Sequence, residues 1–261
     1  MFDYHIHSRV SYDSKEIPEN IVKAAIDRGL KEICFTDHLD YGVSPAGESL
    51  TFETEIYNQN YDHLVCSDLK IRRGFEFGML PDNQDTFQQD LARRHFDFVI
   101  GSVHFVEEQD VYFEPYWQGR SQHEAEQLYF EEVLKCVKTH DAFDVLGHLT
   151  YISKVRVNPQ LRPIAYSEHH ELFDEIFRTL VLKGKGIEVN TSGKDRCGDF
   201  LPGLEFLKRF KELGGEIVTV GSDAHAANRV GQYCNEVCQM IGEIFGFVAT
   251  FENRRPIFHK L

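Results

Sequence analysis

Histidines and carboxylates recur in short clusters along the chain, and these residue types are the ones that bind divalent metal ions. The first cluster is the pair His5 and His7, separated by one isoleucine, with Asp13 six residues further on. Because side chains alternate along a strand, an H-x-H pair places both imidazoles on one face. An exposed strand face that carries two histidines has the same spacing. The pair alone therefore leaves a metal site and an ordinary strand as open alternatives.

Further clusters repeat the same chemistry along the rest of the chain. They are D-H at 37–38, F-E-F-G at 75–78, S-V-H at 102–104, G-H at 147–148 and S-D-A-H at 222–225. Imidazole nitrogen binds zinc, iron and manganese, and carboxylate oxygen binds or bridges the same ions. A single histidine could equally be hydrogen-bonded in a core. The joint recurrence favours one metal centre over many separate coincidences.

Each cluster lies at the end of a segment that the sequence predicts to be a strand. Short apolar runs predict strands at 2–7, 31–38, 69–78, 96–104, 143–148, 186–192 and 216–225. Longer amphipathic segments predict helices at 17–28, 121–139, 166–183, 201–213 and 228–245. Pro18 in the first turn supports the first helix, and Ser121 with Glu124 forms a capping box ahead of the second.

Seven strands that alternate with helices predict an α/β protein, either an open parallel sheet or a closed barrel. Polar residues end each predicted strand: His7, His38, Glu76, His104, His148, Asn190 and Asp223. The carboxyl ends of all strands meet at one face of a parallel barrel, whereas an open sheet offers a crevice served by two or three strands. The pattern therefore favours the barrel.

Composition limits the class of partner. The formal net charge of −14 argues against a broad nucleic-acid-binding face, but it leaves room for a small phosphate ester held by local cations or metal ions. We expect no membrane helix, because no apolar run approaches the roughly 18 residues needed. The N-terminus lacks a secretory pattern and the six cysteines are scattered, so we expect a cytoplasmic protein with reduced thiols. The even composition predicts one domain, and the sequence does not indicate an oligomeric state.

The motif order H-x-H, T-D-H, G-x-E, S-V-H, G-H and S-D-x-H resembles the polymerase-and-histidinol-phosphatase (PHP) family over essentially the whole chain. Within that family, GSVHFV, DVLGHLTYISKV and IEVNTSG resemble the histidinol-phosphate phosphatases. The resemblance implies a distorted, TIM-like (β/α)7 barrel, with residues 1–261 as one PHP-type catalytic domain. It implies three divalent ions (zinc, iron or manganese) and hydrolysis of L-histidinol phosphate in histidine biosynthesis, by a hydroxide shared between two metals.

The resemblance also assigns the ligands of each ion. The first ion would be held by His5, His7, Glu76 and Asp223. Glu76 would bridge to the second, completed by His104 and His148. The third would be held by Asp13, His38 and His225, where some relatives have histidine in place of Asp13. Asp37 is expected to orient a ligand rather than to bind metal.

A phosphomonoester dianion favours arginine, because the guanidinium group matches the phosphate oxygens. Arg156 and Arg196 are the candidates to bind phosphate, and Arg9 and Lys194 are weaker ones. Glu76, Arg156 and Asp223 are the expected catalytic residues. Asp223 and a metal-bound water are alternative sources of the proton for the leaving alcohol.

The cationic organic half of histidinol would need carboxylates and aromatic faces. The loop at 107–119 offers Glu114, Tyr116 and Trp117, and Asp40 and Tyr41 follow the second strand. We expect Glu114 and Trp117 to bind substrate. The alternative is that this loop is an ordinary lid on the barrel rim.

Other functions remain open on sequence alone. Within the family these are a nucleotide or sugar phosphatase, a phosphodiesterase or exonuclease, and a protein-tyrosine phosphatase. The acidic charge weighs against those that act on nucleic acid. From a different class, the chain could be a barrel with a structural metal site or a scaffold for a protein partner.

Overall fold

The computed structural model describes residues 1–43, 49–154 and 162–261. The strands in these ranges are β1 (Phe2–Ile6), β2 (Glu32–Asp40), β3 (Lys70–Gly78), β4 (Phe98–Ser102), β5 (Phe105–Val106), β6 (Gln109–Asp110), β7 (Val145–Leu146), β8 (Gly186–Asn190), β9 (Val218–Gly221), β10 (Phe247–Glu252) and β11 (Arg255–Lys260). The helices are α1 (Pro18–Asp27), α2 (Thr54–Tyr61), α3 (Gln84–Leu91), α4 (Glu114–Trp117), α5 (Gln122–Thr139), α6 (His170–Leu182), α7 (Lys194–Cys197), α8 (Leu204–Glu212) and α9 (Cys234–Phe245).

A nearly closed parallel barrel forms the centre of the described chain. Its seven strands run in the order β1, β2, β3, β4, β7, β8, β9, and every neighbouring pair is parallel. Backbone hydrogen bonds join the first and last strands at their carboxyl ends, and the longest of them runs from the Ala224 amide to the His5 carbonyl at 3.4 Å. The His7 amide donates to the Ala224 carbonyl at 2.9 Å, and the Asp223 amide donates to the His5 carbonyl at 2.8 Å. The prediction of a TIM-like (β/α)7 barrel is confirmed.

Apolar burial holds the helices against the barrel. Helix α6 buries Phe173, Ile176, Phe177 and Leu180, whose spacing places them on one face of the helix. Strand β8 is buried along its whole length, as expected for a parallel strand covered on both faces. Each such apolar side chain contributes about 1.5–3 kcal/mol to folding.

Two helix starts follow the sequence signals closely. Pro18 occupies the first turn of α1. The hydroxyl of Ser121 accepts from the Glu124 amide, and the Glu124 carboxylate accepts from the Ser121 amide, so the predicted capping box is present at α5. The first turns predicted for α6 and α9 are instead separate 3₁₀ turns at Tyr166–Glu168 and Ala227–Arg229.

Several predicted strands end earlier than expected. β1, β4, β7 and β9 end one or two residues before His7, His104, His148 and Asp223. These four residues therefore lie at the start of the loops that follow the strands. His38 and Glu76 lie inside β2 and β3.

Helices α2 and α3 and the antiparallel hairpin β10–β11 were not predicted from sequence. The cysteines are free, and Cys34, Cys136, Cys234 and Cys238 are buried. Among the helices of the described ranges, none combines the length and apolar character that crossing a membrane requires.

Candidate metal centre

Glu76 lies at the centre of a histidine cluster at the carboxyl ends of the barrel strands. It is 1% exposed, and it lies on β3 opposite His38 of β2 and Ile100 of β4. Oε1 lies 2.8 Å from His148 Nε2 and 3.3 Å from His104 Nε2. Oε2 lies 3.1 Å from His5 Nε2, 3.2 Å from His38 Nδ1 and 3.5 Å from His7 Nε2. One carboxylate thus faces five imidazoles.

The Nε2 atoms of His5 and His7 face each other and also face Asp223. Their Nε2 atoms are 3.0 Å apart, and Asp223 Oδ1 lies 3.5 Å from His7 Nε2 and 3.9 Å from His5 Nε2. Asp223 has a φ of 54°, in the left-handed region that costs energy for a residue with a side chain. The backbone just after β9 is therefore held in a strained conformation at this cluster.

A second part of the cluster lies closer to solvent. Asp13 Oδ2 lies 2.8 Å from His225 Nε2 and 3.4 Å from His38 Nε2. The ring of His7 stacks on both His225 and His38, with centroids 4.2 and 4.4 Å away. The structure thus brings Asp13, His38 and His225 together, as their common assignment anticipated, and adds His7.

Asp40 completes the cluster from the end of β2. It is fully buried, with Oδ2 3.3 Å from His38 Nδ1 and Oδ1 3.6 Å from His104 Nδ1. Neither carboxylate oxygen has a hydrogen-bond partner among the described residues, and the same holds for His38 Nδ1 and His148 Nδ1. Gly78 on the neighbouring strand makes room, since a Cβ there would lie 1.8 Å from Asp40 Oδ1.

These residues fit divalent metal ions. Within the described parts of the chain, four sets of side chains have potential ligand atoms within 4.8 Å of one another: His7, Asp13, His38 and His225; His5, Glu76 and His148; His5, His7 and Asp223; and His38, Asp40 and His104. Asp40 is within ion-pair distance of two imidazoles but has no hydrogen bond among the described residues, and a buried carboxylate is costly unless a cation compensates it. Imidazole with carboxylate is also the donor combination that zinc, iron and manganese accept. The cluster is thus suited to bind divalent metal.

The carboxylates and histidines of the cluster shift one another's pKa values. Burial alone would raise the pKa of Glu76, but the imidazoles of His5, His38 and His104 hold it well below its usual value. Burial lowers the pKa of His104, yet Glu76 and Asp40 outweigh it and raise that pKa to about 10. His7 differs, because burial and the neighbouring histidines lower its pKa to about 3.

Two buried acids support the cluster from behind. Glu188 on β8 is 1% exposed, and its Oε1 lies 2.6 Å from His5 Nδ1. Asp37 accepts from the Ser8 amide at 2.8 Å and from the Tyr61 hydroxyl, and burial raises its pKa to about 6. Asp37 thus fixes the backbone beside His7 rather than contacting a histidine ring. Sequence reasoning missed Glu188, although its position two residues before Asn190 places both side chains on the same face of β8.

A cavity of about 940 Å³ opens above the cluster. Its walls combine aromatic rings, acids and cations: Tyr12, Phe105, Tyr112, Phe113, Tyr151, Asp110, Asp195, Lys154, Arg196 and Arg229. Lys154 Nζ lies 2.6 Å from Asp223 Oδ2, and Arg196 Nη1 donates to the Tyr112 hydroxyl at 2.6 Å. Lys154 was not singled out from sequence, although it is the lysine of the quoted segment DVLGHLTYISKV.

The predicted substrate residues are placed unequally. Arg196 lines the cavity, whereas Arg156 lies outside the described residues. Glu114 and Trp117 do not line it: Glu114 is exposed at the start of α4, and the Trp117 indole donates to the Val111 carbonyl at 2.9 Å. The loop turns these two side chains away from the barrel axis, and Tyr112 and Phe113 line the cavity instead.

The weaker candidates also have other partners. Arg9 donates to Asn60 Oδ1 at 2.7 Å, and Lys194 pairs with Glu236 at 2.9 Å. The hydroxyl of Tyr41 donates to Asp90. None of these three side chains lines the cavity above the cluster.

Comparison with known proteins gives consistent relatives. The family model of the PHP domain matches residues 3–192. A histidinol-phosphatase of Lactococcus lactis subsp. lactis is 35% identical over 87% of this chain and 85% of its own length. A probable histidinol-phosphatase of Clostridium acetobutylicum is 31% identical over 100% of this chain and 97% of its own.

A solved structure is similar over almost the whole fold. It is the histidinol phosphate phosphatase of Lactococcus lactis subsp. lactis, in complex with zinc, L-histidinol and phosphate. The TM-score is 0.90 at 30% sequence identity, and the match covers 98% of each chain.

Proposed function

Because the chain belongs to the PHP domain family, we propose that it is a histidinol-phosphatase, a metal-dependent enzyme that hydrolyses L-histidinol phosphate to L-histidinol and phosphate. The observation that carries the proposal is the cluster around Glu76, where one carboxylate faces five imidazoles. Part of this cluster, including Glu76, His104 and Asp223, lines one cavity. The similar structure from Lactococcus lactis, which contains zinc, L-histidinol and phosphate, supports both the proposed substrate and the proposed metal dependence.

We assign three divalent ions, zinc, iron or manganese, to this cluster. His5, His7, Glu76 and Asp223 would hold the first, and Glu76, His104 and His148 the second. Asp13, His38 and His225 would hold the third, and the contacts of Asp13 support this group. When bound, such ions polarise phosphoryl oxygens and lower the pKa of water so that it attacks phosphorus near neutral pH.

The chain's own residues would bind and orient the ester. The ammonium of Lys154 and the guanidinium of Arg196, both on the cavity wall, are positioned to neutralise phosphoryl oxygens. Lys154 also holds Asp223 in place through their 2.6 Å contact, which leaves the other oxygen of Asp223 towards His5 and His7. Arg156 stays a prediction for phosphate binding and catalysis.

The remaining cavity wall suits the organic half of the substrate. Histidinol carries an ammonium group and an imidazole, which carboxylates and aromatic faces bind. Asp110 with the rings of Tyr112 and Tyr151 provides both within the cavity. The ring of Tyr151 lies against His104 and His148, with centroids 5.2 and 4.9 Å away, so this aromatic face borders the cluster directly.

We propose that residues 1–261 act as one catalytic domain. The family match ends at residue 192, but β9 completes the barrel, and Asp223 and His225 belong to the cluster. We propose a small-molecule partner and no nucleic acid or membrane partner, which the net charge of −14 supports for nucleic acid. A cytoplasmic location stays a prediction from sequence, and so does the reduced state of the cysteines.

The test is phosphate release by purified protein supplied with zinc, manganese or iron(II). We expect kcat/KM for L-histidinol phosphate to exceed that for p-nitrophenyl phosphate and for nucleotide and sugar monophosphates. Bis-p-nitrophenyl phosphate tests the diesterase alternative in the same assay, and phosphotyrosine peptides test the protein phosphatase. A protein that hydrolyses these esters readily but leaves L-histidinol phosphate intact would contradict the substrate assignment.

A further inference from the structure

We propose that Glu188 is a positioning residue that fixes the ring of His5 and thereby sets the metal affinity of the deeper part of the cluster. The inference rests on the proposed metal-dependent function. Glu188 is buried and lies outside the cavity wall. Its effect would be exerted entirely through His5 and through the backbone at His148.

Every polar contact of Glu188 is directed at the cluster or its support. Oε1 lies 2.6 Å from His5 Nδ1. Oε2 accepts from the His148 amide at 2.9 Å and from Asn190 Nδ2 at 3.2 Å. One carboxylate on β8 therefore ties together the ends of β1 and β7 as well as its own strand.

The contact determines which nitrogen of His5 is free. A carboxylate at Nδ1 is an acceptor only, so it requires the Nδ1 atom of His5 to carry the proton. The lone pair is then on Nε2, which faces His7 Nε2 at 3.0 Å and Glu76 Oε2 at 3.1 Å. This is the arrangement in which a carboxylate orients a metal-binding histidine and raises its basicity.

The neighbouring strand leaves room for this contact. Gly221 lies at the end of β9, opposite Asn190, and a Cβ there would lie 2.3 Å from Glu188 Oε1 and 2.3 Å from the Cβ of His5. Any larger residue would push the carboxylate and the imidazole apart. The close approach of Glu188 and His5 thus depends on a glycine at position 221.

The contacts also predict which metal groups would respond. His5 belongs to the set with Glu76 and His148 and to the set with His7 and Asp223. It does not belong to the set of His7, Asp13, His38 and His225. Loss of Glu188 should therefore weaken metal binding in the deeper part of the cluster and leave the outer set occupied.

The test compares Glu188→Gln with wild-type protein in zinc competition against a chromophoric chelator, with elemental analysis after gel filtration. We expect E188Q to bind zinc in the deeper part of the cluster about 10–100-fold less tightly, as is usual when a carboxylate behind a metal-binding histidine is lost. The control is Glu126→Gln, which removes a carboxylate that is 2% exposed and 3.1 Å from His169 Nε2, in a pair outside the cluster. E126Q should match wild type in zinc affinity and stoichiometry.

A second measurement uses wild-type protein, so the proposed role of Glu188 can be tested even if E188Q folds poorly. In ¹⁵N-histidine spectra of metal-loaded wild-type protein, the His5 ring should carry its proton on Nδ1. Unchanged zinc binding in E188Q, or a proton on Nε2 of His5, would overturn the role of Glu188 alone. Wild-type protein that binds no divalent metal would overturn this role together with the proposed function.

Discussion

Glutamine in place of Glu76 would change the centre of the cluster without changing its size. The substitution removes one negative charge and turns one carboxylate oxygen into an NH₂ group. Each oxygen lies 2.8–3.5 Å from two or three imidazole nitrogens, so the new NH₂ group must face at least two of them. An NH₂ group donates hydrogen bonds and offers no lone pair to a metal ion.

We expect Glu76→Gln to lower kcat/KM for L-histidinol phosphate by about 10²–10⁴-fold. Disturbing the support of one metal ion typically costs about 10–100-fold, and Glu76 is assigned to two ions, so the two factors multiply. At 1.36 kcal/mol per tenfold, this corresponds to about 2.7–5.4 kcal/mol of lost transition-state stabilisation.

The assay is steady-state phosphate release at saturating zinc or manganese, with metal content and circular dichroism measured on the same samples. Glu126→Gln serves as control, since it also neutralises a buried glutamate beside a histidine, and it should keep kcat/KM within about twofold of wild type. The reasoning is refuted if folded, metal-replete E76Q retains more than a tenth of the wild-type kcat/KM.

Three further outcomes follow from contacts in the described chain. A chelator should lower the thermal unfolding midpoint in calorimetry by roughly 5–11 °C for each ion removed. The reason is that an ion at a hundred times its Kd contributes about 2.7 kcal/mol of stability, and each kcal/mol moves the midpoint by about 2–4 °C. An unchanged midpoint would contradict metal binding. Gly78→Ala should lower the midpoint by about 2–12 °C, because the new Cβ would lie 1.8 Å from Asp40 Oδ1 and overpacking costs about 1–3 kcal/mol. Asp174→Asn should lower the denaturant midpoint at neutral pH, since Arg209 binds both oxygens of Asp174, at 2.8 and 2.7 Å. Hydrogen bonds from Arg209 hold the pKa of Asp174 below its usual value. The stabilisation from this pair is therefore present above about pH 4, where Asp174 would ionise in the unfolded chain, and it is lost as the pH falls through the folded pKa. The stability of D174N should lack this dependence on acid pH.

The barrel and its cluster were predictable because two independent signals coincide. Apolar runs located the strands, and the side chains at their ends were of one chemical kind, which only a closed parallel barrel brings to one place. His38 and Glu76 illustrate this, since 38 residues separate them in sequence and they pair side by side in β2 and β3. Helix α5 was bounded well because its capping box is a local signal that tertiary packing does not alter.

The errors arise where tertiary contacts decide. Helix α2 buries only Tyr57, Asn60 and Tyr61 and has no side-chain cap, so its sequence carries little helical periodicity. Trp117 was expected in the cavity because of its chemistry, but its direction depends on how the loop from β6 to α5 folds. Glu188 was missed because a carboxylate inside an apolar strand has meaning only once the opposing residues, His5 and Gly221, are known.

The charge of the cluster gives an independent argument for the number of metal ions. Ion-pair contacts connect the histidines of the cluster to five carboxylates and, through Asp223, to one ammonium group: Asp13, Asp40, Glu76, Glu188, Asp223 and Lys154. With neutral histidines, these side chains carry a formal charge of −4. Three divalent ions bring +6, and the resulting +2 matches a phosphomonoester dianion, which predominates above about pH 6. Two ions would leave the site neutral, and one would leave it negative, so that a dianion would gain no net attraction. We therefore expect elemental analysis of active protein to give close to three ions per chain, with activity lost before the last ion is removed; full activity at one ion per chain would contradict this charge balance.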